Sequence, residues 1–377
     1  MAVARRKICF VLPSLAGGGA ERAAVQILNA LDDAAWERSM YLFRHEGPFL
    51  SDVSPAVRLH AGTADSRIGL WHALRRFVRE THPDVVVSFL SYFTVLTAVK
   101  AAASGARVVF NQQTPMSAFL TDGDYPWRRH WHRHAFAMVT RAGCAAADLI
   151  VTTSQGVADD LVAVFGVARA RVRVVHNPVD LDAVAVAAQA PIDPVHAAAW
   201  QRPVIVAAGR LAEAKNYPLL IEALALLRPR VPARLFILGQ GDEDRAIRAL
   251  VAAHGLDEAV VLGGFQKNPW KYIARADVFA LTSHYEGFGN VLVEAMACGV
   301  PVVATRSPGT SEIVRDGVDG LLIDRHEPAA VAAALERVLG DEPFRRRLAG
   351  EARVGAGRFA LPVIARQYES MLRELAA

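Results

Sequence analysis

The sequence predicts an α/β protein of two doubly wound parallel sheets, and three observations carry that expectation. Short apolar, β-branched runs alternate with helix-length segments along the chain, the pattern of repeated strand–helix units. The 377 residues suffice for two domains of about 180 each. Hydrophobic residues make up 53% of the chain, which supplies ample core.

The elements follow in order. Residues 7–12 read as a buried strand, and the turn from Pro13 to Arg22 leads into a helix with apolar residues at Ala24, Ile27, Leu28 and Leu31. Further strands are expected at 84–90, 107–111, 148–152 and 172–176. A domain boundary is expected between Asn177-Pro-Val-Asp180 and Arg202, so that the domains span 1–180 and 181–359; residues 183–190, with Pro191 and Pro194 beyond, read as a short helix and linker. Strands at 202–208, 234–238, 259–262, 277–282 and 301–304, with helices at 218–227 and 291–298, complete the second domain.

Chemistry concentrates at 286–297. Glu286 lies on a loop and Glu294 about one turn into a helix, separated by the hinge Gly287-Phe288-Gly289 and the helix start Asn290-Val291. Amides that open a helix lack internal partners and carry partial positive charge. Acceptor oxygens beside such an end suit a ligand bearing both phosphate and sugar hydroxyls, as a nucleotide sugar does. The plainer alternative is a pair of solvated carboxylates. Glu294, however, sits inside Val291-Leu-Val293 and Ala295-Met-Ala297, too apolar for a surface helix, and a carboxylate there needs a partner.

A second group lies just past the strand at 202–208. Gly209 turns the chain, and Arg210 and Lys215 share the following loop, two positive charges that can neutralise a diphosphate leaving group. Only five lysines occur in the chain (Lys7, Lys100, Lys215, Lys267 and Lys271), which makes Lys215 a less casual choice. Near the N-terminus, Gly17, Gly18 and Gly19 permit close backbone approach to a phosphate or sugar at a helix start. Their spacing matches neither the dinucleotide fingerprint nor the P-loop.

With these groups in place the chain resembles the retaining glycosyltransferases of family 4, which have the two-domain GT-B architecture of two Rossmann-like domains facing a central cleft. The likeness covers most of the chain. It rests on Gly17-Gly18-Gly19 with Glu21-Arg22, on Asn177-Pro-Val-Asp180, on Gly209-Arg210-Leu211 with Lys215, and on Glu286 through Glu294, which fits an E-x7-E pattern. Gly299-Val-Pro-Val-Val303 and Gly317-x-x-Gly320-Leu-Leu add to it. The resemblance implies that the first domain binds acceptor and the second the nucleotide-sugar donor, with a final helix in 360–377 packing back on the first.

It also implies roles. Arg210 and Lys215 hold the donor diphosphate, Glu286 the donor sugar, Glu294 the ribose, and the Gly17–Gly19 loop closes over the phosphates. Gly209, Gly287, Phe288, Gly289, Asn290 and Val291 complete the donor site. Retention at the anomeric carbon, with the leaving diphosphate helping to take the acceptor proton, requires no protein base and no metal or other cofactor. One departure stands out: where many relatives carry a histidine near the donor sugar, this chain reads Asn111-Gln112-Gln113-Thr114. Gln113 can hydrogen-bond a sugar but cannot exchange a proton.

Composition narrows the remaining classes. Residues 1–180 hold 20 lysines and arginines against 15 acidic residues, and 181–377 hold 22 against 23. The excess focuses on 125–136, where Trp127, Trp131 and His134 follow helical spacing and Arg128, Arg129 and Arg133 lie elsewhere on the wheel. That segment suits an anionic membrane surface or a lipid-linked acceptor, with inward packing as the alternative. Balanced charge elsewhere disfavours nucleic acid. Cys9, Cys144 and Cys298 form no metal or disulfide pattern and are expected to be reduced and buried.

No signal peptide is evident, and the apolar run 85–99 is too short to span a bilayer. The expected location is cytoplasmic, peripheral at the inner face of the membrane. Asp122-Gly-Asp124 and His130, His132 and His134 are discounted as metal sites.

Three classes compete: a glycosyltransferase, a glycoside hydrolase using Glu286 and Glu294, and a non-catalytic nucleotide-sugar-binding protein. The hydrolase fails because its carboxylates must flank the scissile bond, whereas these share one loop–helix unit. A non-catalytic relative is expected to lack Arg210, Lys215 or Glu286. The reading is therefore transfer of a hexose or N-acetylhexosamine, from a UDP-sugar first and a GDP-sugar second, to a glycan or lipid-linked acceptor in bacterial surface polysaccharide synthesis. A soluble acceptor is the variant of that reading.

Overall fold

The computed structural model describes residues 5–62, 66–89, 92–118, 130–197, 199–201 and 203–376, the side chains of 130–133 excepted. The chain divides into two compact units, Met1–Pro178 with Leu361–Ala377, and Val179–Ala360.

The first unit holds a parallel sheet of seven strands: β1 (Arg6–Leu12), β2 (Trp36–Leu42), β3 (Arg58–Ala61), β4 (Val85–Phe89), β5 (Arg107–Gln112), β6 (Leu149–Thr152) and β7 (Val172–Val174). Their order is β3-β2-β1-β4-β5-β6-β7, so the winding direction reverses between β1 and β4. The helices are α1 (Gly19–Ala30), α2 (Arg67–Thr81), α3 (Tyr92–Ala102), α4 (His130–Ala146) and α5 (Gln155–Phe165). Both faces of the sheet are covered: Ile8, Phe10 and Leu12 face one apolar cluster, Cys9 and Val11 the other. That burial explains why β1 and β4 read as continuous apolar runs.

The second unit holds six parallel strands: β8 (Val204–Ala208), β9 (Arg234–Leu238), β10 (Val260–Gly264), β11 (Val278–Leu281), β12 (Val302–Thr305) and β13 (Gly320–Ile323). The order β10-β9-β8-β11-β12-β13 again reverses, here between β8 and β11. Its helices are α6 (Leu181–Ala187), α7 (Pro194–Ala197), α8 (Tyr217–Leu227), α9 (Asp244–Ala253), α10 (Trp270–Ile273), α11 (Asn290–Ala297), α12 (Pro308–Ile313), α13 (Pro328–Gly340) and α14 (Glu342–Ala356). In open sheets of this kind, ligands bind outside the carboxyl ends of the strands where the order reverses. The loops after β8 and β11 stand at that position in this sheet.

The last helix, α15 (Leu361–Ala376), belongs to the first unit. It buries Ile364, Ala365, Tyr368, Met371 and Leu372, one face at helical spacing. Tyr368 OH accepts a 2.9 Å hydrogen bond from Asn111 Nδ2, which ties the helix to β5.

Three strands escaped the sequence reading, each for a physical reason. In β2, Glu37, Arg38 and Ser39 break the apolar run; Arg38 is nonetheless buried because its guanidinium donates to the carbonyls of Leu28 and Asn29 at the end of α1 and pairs with Asp33. β3 is an edge strand with no buried residue, and β13 is four residues opening on a glycine. The run 85–99 divides into β4 and most of α3. Cys298 is half-buried rather than buried. Asp122, Gly123, Asp124 and most of the basic aromatic segment lie outside the described residues; within it, His134 is exposed on α4 and Phe136 packs edge-on near Phe165. Among the described residues no helix is long and apolar enough to cross a membrane.

Burial pushes the Cys9 and Cys298 thiols up to about 12 and that of Cys144 up to about 11, with the Glu294 charge adding at Cys298. Almost no thiolate is then present near neutrality. Native protein is expected to resist iodoacetamide at about pH 8, whereas unfolded protein gains three adducts by mass spectrometry. Complete labelling of the native protein would contradict that burial.

Candidate functional site in the second unit

The site begins where β8 ends. Gly209 has φ +155°, and its amide donates to the Leu238 carbonyl at 2.9 Å, carrying the loop across to β9. Gly239, at φ +151°, and Gly241 close this junction, because a Cβ on either would stand 1.9 Å from the Gly209 oxygen or 2.2 Å from the Leu211 oxygen. A 3-10 turn, Glu213–Lys215, follows, and Asn216 at φ +47° starts α8. The Tyr217 hydroxyl donates to the Gly209 carbonyl at 3.1 Å. Burial, with the Glu286 charge adding, pushes its phenol well above the ordinary value.

The loop after β11 is stitched to this one. The His284 amide donates to the Ala214 carbonyl at 2.9 Å, and the Thr282 hydroxyl donates to the Asn216 carbonyl at 3.1 Å. These backbone ties set Glu286 opposite Lys215. Lys215 Nζ and Ser283 Oγ both donate to Glu286 Oε1 at 2.6 Å. The Glu286 side chain is 10% exposed and that of Lys215 23%. A carboxylate so desolvated depends on its cation, since losing one partner of such a pair is costly.

Two further contacts fix the carboxylate. Thr305 Oγ1, at the end of β12, donates to the Ser283 carbonyl at 2.6 Å. Helix α12, closed by a Ser307/Thr310 capping box, brings Gly309 against the loop so tightly that a Cβ there would stand 2.6 Å from the Glu286 oxygen and 2.9 Å from Gly287.

Beyond Glu286 the chain turns at Gly289, φ +104°, into α11. Phe288 is buried edge-on against Phe359, ring centroids 5.2 Å apart, so its ring belongs to the core. Asn290 and Val291 are half-buried in the first turn, and Val291 packs on the core. Glu294 is buried and accepts a 2.8 Å hydrogen bond from Trp270 Nε1, the partner its apolar surroundings demand. Arg210 is exposed, and its side chain forms no ion pair among the described residues. It is an uncompensated positive charge beside a compensated one.

Two expected residues groups lie in the first unit. Gly17, φ +109°, Gly18 and Gly19 stand at the start of α1, and the Glu21 carboxylate folds back over Gly18, where a Cβ would meet it at 2.3 Å. The helix start therefore already has an acidic neighbour. The loop is held from behind by Gly47, whose φ of +124° allows an approach that a Cβ would block at 1.9 Å from the Leu15 oxygen. Gln113 is half-buried: its amide nitrogen donates to Asn111 Oδ1 and its oxygen accepts from Asn177 Nδ2 at 2.8 Å.

Sequence reasoning missed Ser283, Tyr217, Trp270 and Gly309. Ser283 could have been noticed as a hydroxyl at the strand end three residues before Glu286. Gly309, after Ser307-Pro308, carried the helix-start signal of a serine cap. Trp270 had no signal, because its partner is distant in sequence.

A doubly wound sheet with a carboxylate, a cation and a helix start near its switch point has the position and chemistry of a ligand site in an α/β protein. Residues 189–354 match the family described as glycosyl transferases group 1, and residues 17–183 match glycosyltransferase family 4. The lipopolysaccharide core biosynthesis glycosyltransferase LpsE of Rhizobium meliloti (strain 1021) is 30% identical over 338 residues, 88% of each chain. A Campylobacter jejuni 4-alpha-N-acetylgalactosaminyltransferase whose name specifies a diphospho-undecaprenol acceptor is 35% identical over 221 residues, 58% of each chain. The crystal structure of Anabaena HepE in complex with UDP and glucose superposes with TM-score 0.81 at 22% identity, covering 98% of this chain and 100% of that one. The chain belongs to the family 4 glycosyltransferases, and its two parallel-sheet units are those of the GT-B fold.

Gly309→Ala tests the loop geometry. Misplacing a positioned group by about 1 Å can cost about a hundredfold in rate, so the variant is expected to lose activity on that scale while its circular dichroism stays unchanged. Full activity would show that the position of Glu286 is not critical.

Proposed function

We propose that the protein transfers a hexose or N-acetylhexosamine from a nucleotide sugar, a UDP-sugar in the first instance, to a lipid-linked glycan in surface glycan synthesis. The observation that carries this reading is the Lys215–Glu286 pair beside exposed Arg210 at the β8/β11 switch point. The names of LpsE and of the Campylobacter enzyme support the acceptor class, and the UDP and glucose bound to HepE support the donor.

In this reading Arg210 and Lys215 take the diphosphate, Glu286 accepts hydrogen bonds from sugar hydroxyls, and Glu294 accepts them from the ribose. The backbone from Gly287 to Asn290 leads into the start of α11, where the helix dipole favours negative charge. Reaction breaks the bond from the anomeric carbon to the β-phosphate oxygen. The acceptor oxygen bonds to that carbon on the same face, and its proton passes to a phosphate oxygen, so configuration is retained. Charge grows on the leaving diphosphate as the bond breaks, and two preorganised cations meet it there. They supply the compensation that a metal ion gives elsewhere.

Lys215→Ala and Arg210→Ala are each expected to lower turnover about a hundredfold or more, the typical effect of removing one such electrostatic contact. Initial rates with UDP-sugars, measured on variants shown to be folded, provide the check. If either variant keeps more than half its activity, the leaving-group assignment fails.

The basic aromatic segment 125–136 supports a peripheral position at an anionic membrane surface, where a lipid-linked acceptor resides. Exposed Met138 and Val139 on α4 continue it with apolar surface. Each cation near such a surface adds about 1 kcal/mol, screened by salt. Replacing Arg128, Arg129 and Arg133 by serine is therefore expected to reduce sedimentation with anionic vesicles at low salt and leave nucleotide binding intact. Equal sedimentation of variant and parent would remove the membrane claim.

A further inference from the structure

The chain enters the second unit at Pro178–Val179 and leaves it at Ala360–Leu361. Within that unit the two passages are paired: the Val179 amide donates to the Phe359 carbonyl at 2.9 Å, and Val179 and Ala360 form an isolated parallel bridge. The outgoing passage is a 3-10 turn, Gly357–Phe359. The Phe359 ring, 2% exposed, stands edge-on to Phe288 with centroids 5.2 Å apart and planes at 74°. Arg358 Nη2 donates at 2.6 Å to the carbonyl of Ile313, the last residue of α12, and the guanidinium lies 5.0 Å from the centre of the Phe359 ring.

Both contacts bear on Glu286. Phe288 is two residues beyond it and directly before Gly289, whose φ of +104° turns the chain into α11. On the other side α12 walls the same loop, with Gly309 against the Glu286 carbonyl and Gly287. Two successive residues of one turn therefore hold the loop, Phe359 through the Phe288 ring and Arg358 through the end of the helix that walls it. Edge-to-face rings keep a defined separation and orientation, and close-packed interiors pass displacement on from one side chain to the next. A change in the order of the Glu286 loop is then felt at Phe359, and through its carbonyl at the Val179 amide.

We infer that Phe359 is a positioning residue for the transfer reaction: it fixes the Glu286–Gly289 loop from the turn that pairs with Val179, and so couples occupation of the donor site to the order of both chain passages. This rests on the reading of Lys215 and Glu286 as donor residues. Phe359 itself touches no substrate. The coupling is reciprocal: a nucleotide that orders the loop protects the Val179 amide, and loosening Phe359 lowers turnover.

The test is hydrogen exchange of the full chain with and without saturating UDP, with UDP affinity measured by calorimetry. The response is the slowing of exchange at Val179 caused by UDP, taken against the slowing at the amides of β9. In the parent it is expected to be about fivefold or more. In Phe359→Ala it is expected to fall below about twofold although UDP still saturates the protein, and turnover of whichever UDP-sugar the parent uses is expected to fall about tenfold, the scale of one aromatic pair. Phe359→Leu keeps most of the buried apolar volume and decides the matter if the alanine variant does not fold; its response is expected to be less than half the parent's. A purely packing role speeds exchange at Val179 in free and bound protein alike and leaves the response intact, and that result overturns the inference, as does unchanged turnover. If the parent binds UDP without any response at Val179, the inference alone fails. If UDP does not bind, or binds Lys215→Ala as tightly as the parent, the donor reading fails and the inference falls with it.

Discussion

The ion pair between Lys215 and Glu286 is the constraint on which the rest of the candidate site depends. It joins the loop after β8 to the loop after β11, the two strands between which the sheet order reverses. Both residues are poorly solvated, so separating them is costly unless another partner takes the place of the one removed. Everything around the pair restricts where it can sit. The Ala214 and Asn216 carbonyls hold the β11 loop, Ser283 shares the carboxylate oxygen, Thr305 holds Ser283, and Gly309 leaves no room for the loop to retreat.

This arrangement also explains how a cation and a carboxylate can serve one ligand. In the free protein Lys215 neutralises Glu286. In the proposed reading an approaching diphosphate gives Lys215 a stronger anionic partner, and exposed Arg210, which forms no ion pair among the described residues, adds a second charge. Ser283 keeps Glu286 oriented during that exchange. The carboxylate is then free to meet hydroxyl groups, which is the chemistry a sugar offers.

Much of the fold was legible in the chain because parallel strands covered on both faces must be apolar throughout. β1, β4, β8 and β11 could be read directly on that ground. β2 and β3 could not, since one carries a buried arginine satisfied by helix-end carbonyls and the other is an exposed edge. At the site, Arg210, Lys215, Glu286 and Glu294 were visible because charged residues interrupt apolar surroundings at strand ends and on a buried helix. Their partners were not. Ser283 and Trp270 are ordinary residues until the fold sets them within 2.6 and 2.8 Å of a carboxylate, and Gly309 matters only because of the loop it faces. The Phe288 ring packs edge-on in the core.

The most direct test of the account is a crystal structure determined with an intact UDP-sugar bound. The account predicts the diphosphate between Arg210 and Lys215, with Glu286 within hydrogen-bonding distance of a sugar hydroxyl. A donor bound elsewhere, with the Lys215–Glu286 pair undisturbed and no sugar oxygen in reach of Glu286, would contradict it.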